Sequence, residues 1–370
     1  MKFIKEFRDS KAAKALLDQI HAISTKEIKI MEVCGTHTVS IFRYGMRDLL
    51  PKNIKLLSGP GCPVCVTSNQ SIDEAIAVAR LDNVILTTFG DMLKVPGSHS
   101  SLALEKAKGA DIRIVYSTMD ALEIARNNPD KEVVFLGIGF ETTAPTVAAS
   151  ILAAEREGIR NYSIIGTHKL IPEAMRALIT DKEIGVDGFI CPGHVSTIIG
   201  LEPYRFLAEE YGVPSVITGF EPLDILQGIY MLVKQIEAGE ARVEIQYTRG
   251  VKEEGNPKAR EILFKVFRHA DSAWRGIGEI PGTGLELRAE YQAFDARKKL
   301  QFSVDPLREH PGCICGDILR GVKTPLECKL FNKVCVPENP VGACMVSVEG
   351  TCAAYYKYGV PGKEVKGEQG

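Results

Sequence analysis

The sequence predicts an α/β protein in which two parallel-sheet domains face a cleft and a smaller, cysteine-rich domain follows at the C-terminal end. Three observations predict it. Between Ile28 and about Phe220, short apolar or β-branched runs that end at Gly, Thr, Cys or His alternate with amphipathic helical segments. After Gly239 the alternation stops, and from Gly276 the chain is rich in Gly, Pro and Cys with little periodicity. Six of the ten cysteines fall in that last stretch, as Cys313, Cys315, Cys328, Cys335, Cys344 and Cys352.

The expected strands are Ile28 to Val33, Ile54 to Leu57, Val84 to Thr88, Ile112 to Tyr116, Val133 to Leu136, Ser163 to Ile165, Gly188 to Ile190 and Ser215 to Thr218. Crossovers of helical length separate them, among them Ser71 to Leu81, Ala144 to Arg156, Pro172 to Ile179 and Pro222 to Ala238. Strands this short and apolar imply parallel sheets covered on both faces. Eight are many for one open sheet, which divides the chain into units of 1–118, 119–237 and 238–370. In the last unit Val243 to Tyr247 reads as an isolated strand and Asn256 to Phe267 as a helix. The remainder cannot build a large apolar core of its own, so a metal cluster is the expected staple. The polar tail from Gly362 to Gly370 is expected to fray.

Composition narrows the function classes. The 370 residues are 45% hydrophobic and 25% charged, and 45 Lys+Arg against 47 Asp+Glu leave a net charge of -2 with no block of like charge. That lacks the basic footprint of a dedicated nucleic-acid binder. No apolar run reaches the ~18 residues of a bilayer span, and charge interrupts the N-terminus, so no membrane is expected and the location is cytoplasmic. In a reducing cytosol, ten cysteines are unlikely material for structural disulfides, and their clustering reads as metal or redox chemistry.

Nearly every unusual tract begins where an expected strand stops, and ligands of open parallel sheets bind at those carboxyl ends. Cys34-Gly35-Thr36-His37, Gly59-Pro60-Gly61-Cys62-Pro63-Val64-Cys65 and Phe89-Gly90-Asp91 follow the first three strands. Gly139-Phe140-Glu141-Thr142-Thr143, Gly166-Thr167-His168, Cys191-Pro192-Gly193-His194 and Gly219-Phe220-Glu221 occupy the same place later in the chain. Two such edges facing each other would gather thiols, imidazoles and carboxylates in a cleft, with Asp91, Glu141, Thr142, Cys191, His194 and Glu221 as lining groups.

Cys34 stands before a Gly and opens a helix, a position that favours the thiolate, with His37 as proton acceptor or second ligand. The alternative is a buried cysteine beside a hydrogen-bonded histidine. Cys62 and Cys65 form a C-x-x-C at a helix start, suited to dithiol/disulfide cycling or to iron. Half of a zinc site is the other reading, although no second C-x-x-C exists to complete it. Gly137-x-Gly139 lacks the third glycine of a dinucleotide loop and the lysine of a Walker loop. His168 reads as a solvent or capping residue, and Cys191 with His194 is too short a pattern to assign a metal. Four thiolates from the late cysteines would suit zinc or an iron–sulfur cluster, and six exceed what one zinc needs, which favours the cluster.

Met31-Glu32-Val33-Cys34-Gly35-Thr36-His37, the Gly59 to Cys65 tract, Gly139 to Thr143, Cys191 to His194 and Gly342-Ala343-Cys344-Met345-Val346-Ser347 together resemble the HypD family of hydrogenase maturation factors, over nearly the whole length. The resemblance implies two α/β domains plus a third that carries a [4Fe-4S] cluster. It implies a role in building the Fe(CN)2CO unit of [NiFe]-hydrogenases, with the chaperone HypC bringing iron and HypE delivering cyanide made from a thiocarbamate. On that basis Cys34 holds a transient mononuclear iron carrying CN and CO, with His37 beside it, Cys62 and Cys65 are the redox-active pair, and four of the six late cysteines bind the cluster. One of Cys313 and Cys315 with Cys328, Cys335 and Cys352 is the expected set, and Cys344 is its rival. The protein is expected to be monomeric when free and to act as an assembly scaffold with electron-transfer and thiol/disulfide activity. The competing readings are an iron–sulfur-dependent thiol/disulfide reductase acting on a dithiol protein, and a zinc-stapled binding module.

Overall fold

The computed structural model describes residues 5–359; the expected frayed tail lies outside them. Eleven strands are found among the described residues. They are β1 (Ile28–Glu32), β2 (Ile54–Ser58), β3 (Val84–Thr88), β4 (Ile112–Ile114), β5 (Glu132–Gly137), β6 (Tyr162–Gly166), β7 (Gly188–Pro192), β8 (Ser215–Thr218), β9 (Val243–Ile245), β10 (Phe267–Trp274) and β11 (Gly278–Leu287). The first nine form two wholly parallel sheets, in the orders β2-β1-β7-β8-β9 and β4-β3-β5-β6.

Sheet membership cuts across the expected division at 118/119. The first sheet takes β1 and β2 from the N-terminal stretch and β7, β8 and β9 from beyond Gly188, while β3 to β6 build the second sheet as an insertion between them. The strand at Val243–Ile245 is not isolated but pairs with β8 as the edge of the first sheet. Among the described residues no helix is long and apolar enough to cross a membrane.

Period-two side-chain alternation explains how the layers close. Along β1, Ile28 and Ile30 enter one apolar cluster with Leu56, Ile190, Val216 and Ile229, while Met31 and the following Val33 enter another. That second cluster also takes Val84, Leu86, Val134 and Leu136 from the second sheet. One face of each sheet therefore borders a shared core. Ile318, Leu319, Phe331, Met345 and Tyr355 of the C-terminal tract join the same core. This tract has too little apolar periodicity to fold alone, and it solves the problem by packing its few large residues against the other two layers. The antiparallel hairpin of β10 and β11 was not expected from the sequence; it covers the far face of the second sheet with Phe267, Leu285 and Leu287.

Candidate functional site

In the first sheet the strand order reverses between β1 and β7, the place where open parallel sheets bind ligands. Cys34 follows β1, and His194 lies in the first turn of the helix Gly193–Ile199 that follows β7 directly. Because β1 pairs with β2 up to Glu32 and Ser58, the Cys34 loop and the Gly59–Cys65 loop emerge side by side. They lock together: Gly59 N donates to Glu32 O at 2.7 Å and Gly35 N to Gly61 O at 3.0 Å. A Cβ on Gly61 would collide with the backbone nitrogen of Cys34, so glycine there is a condition of the lock. Beneath it the buried Glu32 carboxyl accepts from Cys34 N at 3.0 Å and from Thr38 Oγ1 at 2.5 Å. Burial raises Glu32 to about 7 against the pull of those hydrogen bonds.

Cys34 does cap a helix, Gly35–Arg43. The expected thiolate is not what the free protein holds, however. Only 7% exposed, the thiol is pushed up to about 12 from its ordinary 9.0, chiefly by burial and further by Glu349 and Glu32. Three pH units correspond to about 4 kcal/mol, several times the ~0.3–1 kcal/mol that a helix start provides. Desolvation wins, and a metal would have to displace the proton.

His37 is buried, and burial lowers it to about 4. Its Nε2 lies 2.9 Å from Gly219 O, which can only accept, so Nε2 carries the proton; Thr218 Oγ1 is also 2.9 Å away. Nδ1 is then a lone pair without a partner. The ring stacks on Phe220 at 4.9 Å, and Phe220 stacks on His194 at 3.9 Å, so an aromatic ladder runs from the buried imidazole to an exposed one. Beside it Phe220, Glu221, Tyr247 and Arg249 line an open groove of about 440 Å³. Cys191 lies inside β7, fully buried, and burial pushes its thiol far up while the Ser215 side chain partly offsets this.

Cys62 caps the short helix Pro63–Val66, and Cys65 N donates to Cys62 Sγ at 3.3 Å. Both residues are buried, and all ten cysteines are free thiols. The Cys65 thiol interacts with Cys344 as well as with Cys62, and Cys344 interacts in turn with Cys315 and Cys352. Cys313, Cys315, Cys328, Cys335 and Cys352 line one small cavity, walled by apolar groups such as Ile318, Phe331 and Met345. Cys344 lies outside that lining. A Cβ on Gly342 would stand 2.9 Å from Sγ of both Cys313 and Cys315, so glycine leaves the cradle open. No group of three or more His, Cys, Asp or Glu among the described residues gathers tightly enough for a single metal ion. Soft thiols spaced around an apolar cavity are compatible with a metal cluster.

The second sheet presents a different edge. Glu141 is buried, accepts from Ile171 N at 2.9 Å with one oxygen, leaves the other without a partner, and is raised to about 7 by burial. Thr142 beside it is half-buried and Asp91 is exposed. His168, expected at the surface or as a cap, is instead buried with neither ring nitrogen partnered and is lowered to about 3 by burial. Glu221 begins the helix Pro222–Ala238 and is paired with Arg8 at 2.5 Å. The buried Tyr204 hydroxyl lies within electrostatic reach of Cys191, Glu141 and Cys34 and accepts a hydrogen bond from Ser196 Oγ at 3.2 Å.

Comparison with known proteins decides the family. The family model described as "Hydrogenase formation hypA family", HypD, matches residues 11–359. The chain is 50% identical to hydrogenase maturation factor HypD of Rhodobacter capsulatus, covering 97% of this chain and 98% of that one. It is 49% identical to HypD of Rhizobium leguminosarum bv. viciae, over 97% and 96% of the two chains, and 46% identical to HypD of Cupriavidus necator, over 97% of each. The chain belongs to the HypD family. Its role is therefore in hydrogenase maturation.

Within this HypD-family fold, several site residues escaped sequence reasoning. Glu32 carried a signal, an acid at the end of a strand that is otherwise apolar except for the exposed Lys29. Glu349, whose Oε1 accepts from Thr36 Oγ1 at 2.8 Å, and Tyr204 carried none, because each reaches the site from a distant part of the chain.

Proposed function

We propose that this protein is the redox-active scaffold on which the Fe(CN)2CO unit of [NiFe]-hydrogenases is assembled in the cytoplasm, with HypC and HypE as partners. The observation that carries the reading is the continuity of cysteine-bearing loops. The Cys34 loop is locked onto the Cys62/Cys65 loop, the Cys65 thiol interacts with Cys344, and Cys344 interacts with two thiols of the cavity, Cys315 and Cys352. Cys34 holds the iron while ligands are added, and the unpartnered Nδ1 of His37 lies three residues away as a lone pair available to the same loop. Binding releases the Cys34 proton.

Cys313, Cys328, Cys335 and Cys352 would hold a [4Fe-4S] cluster, which supplies single electrons. Cys315, the fifth thiol of the cavity, interacts with Cys344 and so forms with it a spare pair next to Cys65. Thiol exchange can then pass between the Cys62/Cys65 pair and Cys344 without crossing solvent. A free-standing reductase of protein dithiols has less support, because Cys62 and Cys65 are 3% and 0% exposed and closed to another protein's sulfur.

Metal analysis after anaerobic purification tests the reading. About four iron and four sulfide per chain, with no zinc, is the expected result. Stoichiometric zinc without sulfide would overturn it in favour of a zinc-stapled binding module.

A further inference from the structure

Arg275 has no part in the scheme above, yet its position is costly. It follows Trp274 at the end of β10 and is only 6% exposed. Its backbone N donates to Val66 O at 2.9 Å and its Nε to Thr67 O at 2.8 Å, while Nη1 and Nη2 reach Pro96 O at 3.4 Å. Each of these acceptors is a neutral carbonyl. A guanidinium cannot shed its proton, and burying one without an anion costs several kcal/mol. Some negative charge must therefore complete the site.

The neighbouring acids do not provide it. Asp317 is committed to Arg320 at 3.1 Å and Lys323 at 2.7 Å. Glu309 is exposed. Glu309 does line the same opening of about 210 Å³ but at its solvent-exposed rim, where water screens its charge; the buried groups there are sulfur, Cys315 with the half-buried Cys313, and the opening adjoins the cysteine cavity. Backbone packing fixes this, since a Cβ on Gly276 would sit 2.7 Å from Gly316 Cα, one residue past Cys315. Burial lowers the affinity of Arg275 for its proton, and Cys315, Cys344, Glu309 and Cys313 act in the opposite sense.

We propose that Arg275 is the buried counter-charge of the thiolate-bound iron–sulfur cluster and raises its reduction potential. The inference rests on the cluster assignment made above. Reduction adds one electron to the cluster and breaks no bond, so the reduced form is the more negative, and a fixed cation nearby favours it. Arg275 is thus a positioning residue for charge, not a ligand.

The test is an anaerobic titration of the full-length loaded protein with dithionite, followed by electron paramagnetic resonance, after iron and sulfide have been measured. In Arg275→Gln the reduced-to-oxidised ratio at a fixed potential should fall about tenfold, equivalent to 59 mV for a one-electron couple. Arg275→Lys keeps the charge and should restore most of the wild-type ratio. A loaded Arg275→Gln protein with an unmoved ratio overturns the proposal and leaves the cluster assignment standing. Should Arg275→Gln fail to take up iron, Arg275→Lys decides. Loading with the wild-type ratio supports the counter-charge, and failure to load, or a ratio well below the wild type, shows that Arg275 acts by shape. A wild-type chain that holds no iron and sulfide overturns both readings.

Discussion

The carboxyl edges of the two sheets are written in the same local sequence and have different chemistry. Gly35-Thr36-His37 follows β1 closely and Gly166-Thr167-His168 ends β6. His37 is anchored through Nε2 to Gly219 O and keeps one free nitrogen, whereas His168 has no partner on either side. The difference lies in what covers each edge. Over the first sheet lies the cysteine tract, linked through the interaction of the Cys65 and Cys344 thiols and the Thr36–Glu349 hydrogen bond. Over the second lies the β10–β11 hairpin, which bonds along the loop after β6 through Leu170 N to Thr283 O at 2.9 Å. A βα loop thus supplies a place for chemistry, and the element packed on it decides whether that place becomes a thiol centre or a sealed core.

Breaking the covering of the first edge should have the largest effect. Cys328→Ser combined with Cys335→Ser is expected to remove essentially all iron and sulfide and to open residues 311–352 to proteolysis, while the second edge keeps its fold. Full metal content with unchanged protease resistance would show that these cysteines do not carry the staple. Gly342→Ala is a smaller perturbation of the same cavity, placing a methyl group 2.9 Å from two sulfurs. Overpacking of this kind costs about 1–3 kcal/mol, and iron loading should drop in proportion; a variant as stable and as well loaded as the wild type would remove Gly342 from the account.

The sealed edge makes a prediction about pH. The folded protein holds Glu141 at about 7 against an ordinary 4.5, so between those values it keeps a proton that the unfolded chain has lost. Stability from this group therefore falls as pH rises from about 4.5 to about 7, with a slope of up to ~1.4 kcal/mol per pH unit, and is level above that. Glu141→Gln should remove this downward contribution, so that the variant's urea midpoint falls less, or rises more, with pH in that window than the wild type's, where Glu32 acts in the same sense and the buried His37 and His168 in the opposite one. An unchanged slope would place the titration elsewhere. The smallest effect expected is at Cys62 and Cys65: differential alkylation across a redox buffer should trap a two-electron disulfide without loss of fold, and a pair that oxidises only on unfolding would count against exchange with Cys344.

What was legible in the sequence was local. The helix expected at Pro222 to Ala238 is found with those ends, and that expected at Asn256 to Phe267 spans Pro257–Val266, because capping residues and apolar spacing announce both. Strand ends, and hence the places of Cys34, Cys62 and His194 just beyond them, were readable for the same reason. Strand order was not, since the pairing of β1 with β7 depends on contacts between segments far apart in the chain. The hairpin was hidden because Arg268, His269, Asp271 and Ser272 in β10 lack an apolar alternation and a bulge shifts its register at Ala270/Ser272. The protonation of Cys34 was misjudged because helix entry is visible in sequence and burial is not.

The central claim is that iron assembly at Cys34 and the cluster at the late cysteines are separate centres on one scaffold. Infrared spectroscopy of the complex with HypC, purified with its iron, tests it most directly. In Cys34→Ala the cyanide and carbon monoxide stretching bands should vanish while iron and sulfide of the cluster remain, and in Cys191→Ala the bands should persist. Bands that survive in Cys34→Ala and vanish in Cys191→Ala would contradict the account.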